Sequence, residues 1–285
     1  MTEITNVTVL GTGVLGSQIA YQTAYSGFVV TAYDIDDDAL KKARTRFAAL
    51  VEVYKKDSVP GASEGKTEEA LTRIRFSADL RDAVRNADLV IEAVPEVLSV
   101  KQETYDELGK VAPEKTIFAT NSSTLLPSDL KGFTGRPDRF LALHFANPVW
   151  KYNTAEVMGT ADTDPAVFDQ VVAFAGDIGM VPIPIHKEKA GYVLNSLLVP
   201  FLNAGFVLAA GGYAEPKDIN NVWRTATGAP MGPFQFTDTI GLTTPYNILS
   251  HSGEKRQELA AWLKTTYIDH GKLGICTGEG FYSYD

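Results

Sequence analysis

The sequence predicts an α/β protein in which a doubly wound parallel sheet is followed by a smaller, all-helical domain. Three observations carry that expectation. Short β-rich runs alternate with helical patterns up to about residue 186, and a glycine-rich turn joins the first strand to the first helix. Around Val181-Pro182-Ile183-Pro184-Ile185 the sheet rhythm stops, and nearly everything after Lys189 reads as helix with Gly and Pro breaks. With 285 residues, 45% of them apolar, the chain can build one large core or two smaller ones.

In order, Asn6-Val7-Thr8-Val9-Leu10 reads as a strand, followed by a Gly-rich turn and a helix from Val14 to Tyr25. Further strands are expected at 29–33, 74–76, 89–93, 116–119 and 140–144, with helical patterns at about 36–56, 97–111 and 165–178. Asp57 to Lys66 is dense in turn formers and reads as an exposed loop. The domain boundary is placed at about 186, giving domains of 1–186 and 187–285. The second is expected to hold helices near 189–211, 215–226, 231–240, 242–251 and 255–270, then a Gly-rich tail from Gly274 to Asp285.

Ala190 to Gly212 is nearly apolar and almost long enough to span a bilayer, but Asn195, Pro200 and Asn203 interrupt it. With no second span and no basic flank, it is expected to be a helix buried on all sides in protein, with no membrane role. The net charge of −9 argues against a nucleic-acid partner. A single cysteine, Cys276, excludes an intramolecular disulfide; with no cleavable apolar leader, a reducing, cytoplasmic setting is expected. Cys276 itself reads as an inert thiol, and no metal is called for.

Gly11-Thr12-Gly13-Val14-Leu15-Gly16 fits G-x-G-x-x-G between a strand and a helix. Gly11 permits the tight turn, Gly13 lets backbone approach a pyrophosphate, and Gly16 allows helix and strand to pack closely. The amides of the first helical turn, Val14 and Leu15 among them, then face the phosphates. Asp34 ends the next strand, where a ribose-binding carboxylate belongs. Together these make the first domain a Rossmann-type dinucleotide-binding domain. The Asp34 carboxylate would repel a 2′-phosphate, so NAD is expected over NADP. Asp36-Asp37-Asp38 reads as an acidic first turn of a helix, not as part of a site.

A hydride transferred from an alcohol needs a base for the hydroxyl proton, a group to hold that base and donors for the developing oxyanion. His144 is the candidate base, because it ends a strand at the carboxyl edge, where open α/β sheets bind ligands. His186 lies at the domain junction, and His251 and His270 lie at predicted helix ends, where capping or a surface role is the default.

An ordered set of segments now matches a family. Besides Gly11 to Gly16, Asp34 and Glu96, it includes Asn121-Ser122-Ser123, His144-Phe145-Ala146-Asn147-Pro148, Glu156 and Gly191-Tyr192-Val193-Leu194-Asn195. Pro230 to Phe234 and Gly278 to Tyr282 complete it. From end to end the chain resembles the L-3-hydroxyacyl-CoA dehydrogenases, including bacterial 3-hydroxybutyryl-CoA dehydrogenases. The resemblance implies a His144–Glu156 pair as base and orienting carboxylate, with Ser123 near substrate and nicotinamide. It implies that Asn195 bonds substrate oxygens, and that Glu96, Lys101 and Asn147 line the nicotinamide end of the NAD pocket. A short-chain 3-hydroxyacyl-CoA substrate and a homodimer through the helical domain follow as expectations.

Two features depart from the family pattern. Trp150 makes the stretch after the histidine bulkier, which would reshape the acyl pocket, and Cys276 stands where many members carry a basic residue. Arg44, Arg46, Lys55 and Lys56 cluster on the helix where the family holds its nucleotide end; a solvated helix face predicts the same charges. The alternative substrate is a non-CoA 3-hydroxy acid, carnitine- or gulonate-like, which needs a cation for a free carboxylate or an aromatic cage for a quaternary ammonium; Trp150 and Tyr152 would start the cage. A cofactor-binding protein without turnover is the reading from a different class, and an intact His144–Glu156 pair counts against it.

Overall fold

The strands of the first half are mostly apolar with no regular polar alternation, which suits a sheet covered by helices on both faces. In the computed structural model, which describes residues 3–250 and 253–284, that is how they are used. β1 (Asn6–Leu10), β2 (Val29–Tyr33), β3 (Ile74–Ser77), β4 (Leu89–Glu92), β5 (Ile117–Thr120), β6 (Phe140–Phe145), β7 (Thr154–Gly159) and β8 (Val181–Ile185) form one sheet. Their order is β3-β2-β1-β4-β5-β6-β7-β8. All neighbours pair in parallel except β6 and β7.

Alternate residues feed two cores. Val7, Val9, Leu89, Ile91, Ile117, Ala119, Leu141 and Leu143 point to one face, where α1 (Val14–Tyr25), α2 (Asp37–Lys56), α3 (Lys66–Thr72) and, later in the chain, α6 (Pro165–Asp177) contribute. Leu10, Val90, Phe118 and Phe140 point to the other, with residues of α4 (Leu80–Val84) and α5 (Leu98–Val111). The strand order reverses between β1 and β4, which opens a crevice at their carboxyl ends.

The segment at which the sheet rhythm was expected to stop is itself the edge strand β8, parallel to β7. Its prolines explain the misreading. Pro182 and Pro184 have the same parity, so both missing N–H groups fall on the unpaired outer side of the edge, where a ladder does not need them.

The chain separates into two compact units, Met1–Val193 and Leu194–Asp285. The expected boundary at about 186 therefore falls inside the first unit, because the segment up to Val193 is tied to it. Tyr192 is buried there, and the Val193 N–H donates to the Glu156 carboxylate. The second unit contains α7 (Leu194–Ala210), α8 (Pro216–Thr227), α9 (Pro233–Ile240), α10 (Thr243–Ser250) and α11 (Glu254–Thr266). Its core gathers Leu202, Phe206, Ile219, Phe234, Leu249, Ala260 and Leu263. Buried Asp238 fastens the tail by accepting from the Phe281 and Tyr282 amides and the Tyr284 hydroxyl. The reading of His251 as a helix end lies outside the described residues.

Helix α7 was expected to be buried on every side. Within the single chain it is not: Leu202, Gly205 and Phe206 are buried, while Leu197 and Val207 are 69% and 51% exposed. The stripe of Leu202, Gly205 and Phe206 is the one that faces the core of its own unit. No helix among the described residues is long and apolar enough to cross a membrane.

Candidate active site

The glycine-rich turn brings β1 into α1. Gly11 sits at φ 87, and a Cβ there would strike the Ala93 carbonyl oxygen at 2.6 Å. A Cβ on Gly16 would meet the Gly11 carbonyl oxygen at 1.9 Å, so the helix can approach the strand only without a side chain. Gly13 differs: a Cβ there would meet nothing within 4 Å. That open space adjoins the free amides at the start of α1, where no side chain caps the helix. A concavity of bare backbone donors at a helix N-terminus fits a pyrophosphate.

Asp34 follows β2 and clamps the same loop. Its Oδ2 accepts from the Thr12 N–H at 2.8 Å and the Thr12 hydroxyl at 2.5 Å, and its Oδ1 accepts from the Ile35 N–H at 2.9 Å. Arg46 donates to the Thr12 carbonyl at 3.1 Å, and Lys55 pairs with Glu68 at 2.6 Å. Arg44 lies over the Phe76 ring at 4.1 Å. Three of the four clustered cations are therefore engaged within their own unit.

His144 lies on β6, and the antiparallel register sets it directly opposite Glu156 on β7. Opposed residues of an antiparallel pair project to the same face, so twelve residues of separation become one contact. His144 Nδ1 lies 2.9 Å from Glu156 Oε2, and both side chains are buried. A carboxylate only accepts, so Nδ1 carries the hydrogen and Nε2 of the neutral ring is left as an acceptor. Nε2 meets the Ser123 hydroxyl at 3.1 Å. Ser122, by contrast, is buried and donates to Glu96 at 2.5 Å. The other described histidines, His186 and His270, are exposed.

Glu96 holds the serine loop. Its Oε1 accepts from the Ser123 and Thr124 amides at 3.0 and 2.9 Å as well as from Ser122. Burial pushes its carboxyl upward, but the Ser122 bond, the charge of Lys101 and the Thr124 bonds outweigh burial and hold it at about 2. Lys101, expected to line the cofactor pocket, is instead 1% exposed, at 2.5 Å from Glu92, 3.2 Å from Glu96 and 3.2 Å from the Val94 carbonyl. Its three donor directions are spent on protein, which makes it a brace for the loop. Its main partner, the fully buried Glu92, was not singled out from sequence. An apolar strand ending in a glutamate, nine residues before a lysine on a helix, was the available signal.

Asn147 lies in the β6–β7 connection, where its amide oxygen accepts from Gln18 at 3.0 Å. The Gln18 oxygen in turn accepts from the Val149 N–H at 3.0 Å. Gln18, also missed, thus ties the helix of the glycine loop to the connection after the histidine. Trp150 lies in the same connection. Its indole N–H donates to Asp57 at 2.8 Å and its ring packs against Tyr54 at 5.2 Å. These contacts hold it against the end of α2. Cys276 is exposed. In the second unit, Asn195 lines an apolar pocket with Leu198, Leu202, Asn203, Ile240 and Ile248. Among the described residues no cluster of His, Cys, Asp and Glu could hold a metal.

Comparison with known proteins places the chain. The family model for the 3-hydroxyacyl-CoA dehydrogenase NAD binding domain matches residues 6–189, and that for the 3-hydroxyacyl-CoA dehydrogenase C-terminal domain matches 191–284. The mitochondrial hydroxyacyl-coenzyme A dehydrogenase of Rattus norvegicus is 36% identical over 99% of this chain and 91% of its own. A probable 3-hydroxybutyryl-CoA dehydrogenase of Bacillus subtilis is 33% identical over 99% of this chain and 98% of its own. A solved diketoreductase structure, described for substrate-directed dual catalysis of dicarbonyl compounds, is 65% identical, covers 100% of both chains and superposes with a TM-score of 0.97.

Proposed function

The chain belongs to the 3-hydroxyacyl-CoA dehydrogenase family, and from that premise we propose that it moves a hydride between NAD and C3 of a short-chain 3-hydroxyacyl-CoA, with His144 as general acid and base. It is an NAD-dependent oxidoreductase. The observation that carries the residue assignment is the imidazole held at Nδ1 by Glu156 and presenting Nε2 to Ser123.

Bound NAD supplies the hydride acceptor for C3 of the alcohol, and the reduced form supplies the donor for the ketone. As the C3 hydrogen leaves with its electron pair, the His144 Nε2 lone pair takes the hydroxyl proton. Glu156 then faces an imidazolium, whose charge it stabilises without moving. As the family resemblance implies, Ser123 orients the reacting oxygen and Asn195 bonds substrate oxygens. Glu96, Lys101 and Asn147 shape the nicotinamide end, the lysine through Glu96. In reduction each proton step runs backwards.

A second reading keeps this chemistry and drops the coenzyme A: a free 1,3-dicarbonyl compound as the substrate to be reduced. The 65% identity to a diketoreductase supports it. NADH oxidation with acetoacetyl-CoA, with ethyl acetoacetate and with both after His144→Gln tests the two together. Turnover of the thioester, lowered on the order of 100- to 10,000-fold in the variant, is the expected result. Turnover of the ester alone would transfer the assignment to the second reading, and an unaffected variant would remove His144 from the chemistry.

We also infer a homodimer formed through the apolar faces that the second unit leaves open, with Leu197, Val207, Val222 and Trp223 exposed in the single chain. A light-scattering mass of one chain would sink it. A reducing compartment such as the cytoplasm suits the lone, exposed Cys276.

A further inference from the structure

Two consecutive residues at the end of the first unit, Tyr192 and Val193, reach the His144–Glu156 pair from a side that Ser123 does not touch. Tyr192 is buried and lies face to face with the imidazole, with ring centroids 4.4 Å apart and planes 16° from parallel. Its hydroxyl donates to the Ser122 carbonyl at 2.7 Å, which pins the ring to the loop that carries Ser123. Burial, with the carboxylates of Glu96, Glu156 and Glu92 nearby, pushes this hydroxyl above the usual tyrosine range, so it remains a donor. The next N–H, from Val193, donates at 2.8 Å to Oε1 of Glu156, the oxygen that His144 does not use.

The backbone is bent to make this possible. Gly191 has φ 79 and Tyr192 has φ 52, a region that bulky L residues seldom enter. A residue held there against its preference points to a function for the geometry it secures. Two hydrogen bonds in the plane of an imidazole, at Nδ1 and Nε2, resist sliding of the ring but not tilting out of that plane. A flat aromatic ring in contact with the face opposes the tilt directly.

We propose that Tyr192 is a positioning residue for the reaction, its ring fixing the plane of the His144 imidazole so that Nε2 stays aimed at Ser123 and the substrate oxygen. This rests on the reading of His144 as the base. The adjoining Val193 holds the orienting carboxylate, so a single turn braces both members of the pair. The brace ends where the first compact unit ends.

The test compares Tyr192→Leu, which removes the stack, with Tyr192→Phe, which keeps it and removes only the hydroxyl. In the leucine variant kcat is expected to fall by about 10- to 100-fold, the cost of an angular misplacement near the reacting atoms, with KM for NADH unchanged. The phenylalanine variant should recover most of that loss. Equal losses in both would assign the effect to the Ser122 bond and overturn the proposal, as would a leucine variant within about threefold of wild type.

A second measurement does not depend on the leucine variant folding. NMR of protein labelled at the histidine Cε1, with the His144 resonance assigned by His144→Gln, should place its ring proton upfield through the Tyr192 ring current. Tyr192→Phe should keep that shift, and its absence in wild type would overturn the proposal. If His144→Gln kept full activity, the reading of the base would fail. Loss of activity in His144→Gln with none in Tyr192→Leu would sink the positioning role alone.

Discussion

Two buried carboxylates stand on strands of the same sheet and are put to opposite uses. Glu92 faces a fixed cation, Lys101, and is closed on its other oxygen by the Thr120 hydroxyl at 2.8 Å. Glu156 faces a ring that can gain or lose a proton, and its second oxygen is closed by a backbone amide. The first cluster is closed on both oxygens by partners within the protein, so its contribution is rigidity. In the second, one nitrogen is still directed at a hydroxyl, and a proton can pass there without disturbing the carboxylate. The difference predicts that damage to one should appear in stability and damage to the other in rate.

Glu156→Gln should produce the largest effect and divide the two cleanly. A glutamine at this position must turn its NH2 group toward either the His144 Nδ1–H or the Val193 N–H, so one donor always confronts another. The ring is then either pushed into the wrong tautomer or released. Steady-state kinetics should give a kcat lower by roughly 100- to 10,000-fold, with the melting temperature within a few degrees of wild type. A variant that melted far lower while keeping its rate would abolish the contrast.

Lys101→Met runs the comparison the other way. Removing the lysine leaves Glu92 buried without its cation, a loss on the order of 3–5 kcal/mol. For a protein of this size the melting temperature should fall by roughly 10 °C in a thermal scan. The residual folded enzyme should keep kcat within about tenfold, because the loop carrying Ser123 is still held by Glu96 through Ser122 and Thr124. A stable variant with a collapsed rate would mean that Lys101 acts on the chemistry itself.

The same contrast explains what the sequence made legible. The cofactor loop is written in residue types that have few other uses. Glycines that no side chain can replace at Gly11 and Gly16, followed by an acid after the second strand, survive translation into structure almost unaltered. The His144–Glu156 contact depends on strand register, which twelve intervening residues do not encode; it was reached through the family resemblance, not from spacing. Lys101 was read as lining the cofactor pocket, and its burial was not legible because burial depends on the partner; Glu92 was hidden as the last residue of an apolar strand. Tyr192 was quoted within a motif but given no role, since nothing in a sequence announces which ring will lie on a histidine. Trp150 shows the converse: it is near the base in sequence, and its packing on Tyr54 and its bond to Asp57 are not announced by that nearness. The prolines of β8 disguised a strand because breakers were read without asking which edge they occupy.

Glu96 touches both clusters and gives the smallest, most specific test. One oxygen lies 3.2 Å from Lys101 and the other collects the serine loop. Its carboxyl is held at about 2, below the ordinary value of 4.5, so the folded protein favours the ionised form. That contribution to stability is fully present above pH 4.5 and is lost as the pH falls from 4.5 toward 2. Glu96→Gln has no proton to gain in that window. Its melting temperature should lie a few degrees below wild type at pH 7, and the gap should narrow steadily below pH 4.5 because only the wild type is losing something. The carboxylate is partly exposed, so solvent screens the effect and keeps it modest. A gap of constant size at pH 7, 4.5 and 3 would mean that the loop is held by shape alone, and that the charge of Glu96 does not link the rigid cluster to the reactive one.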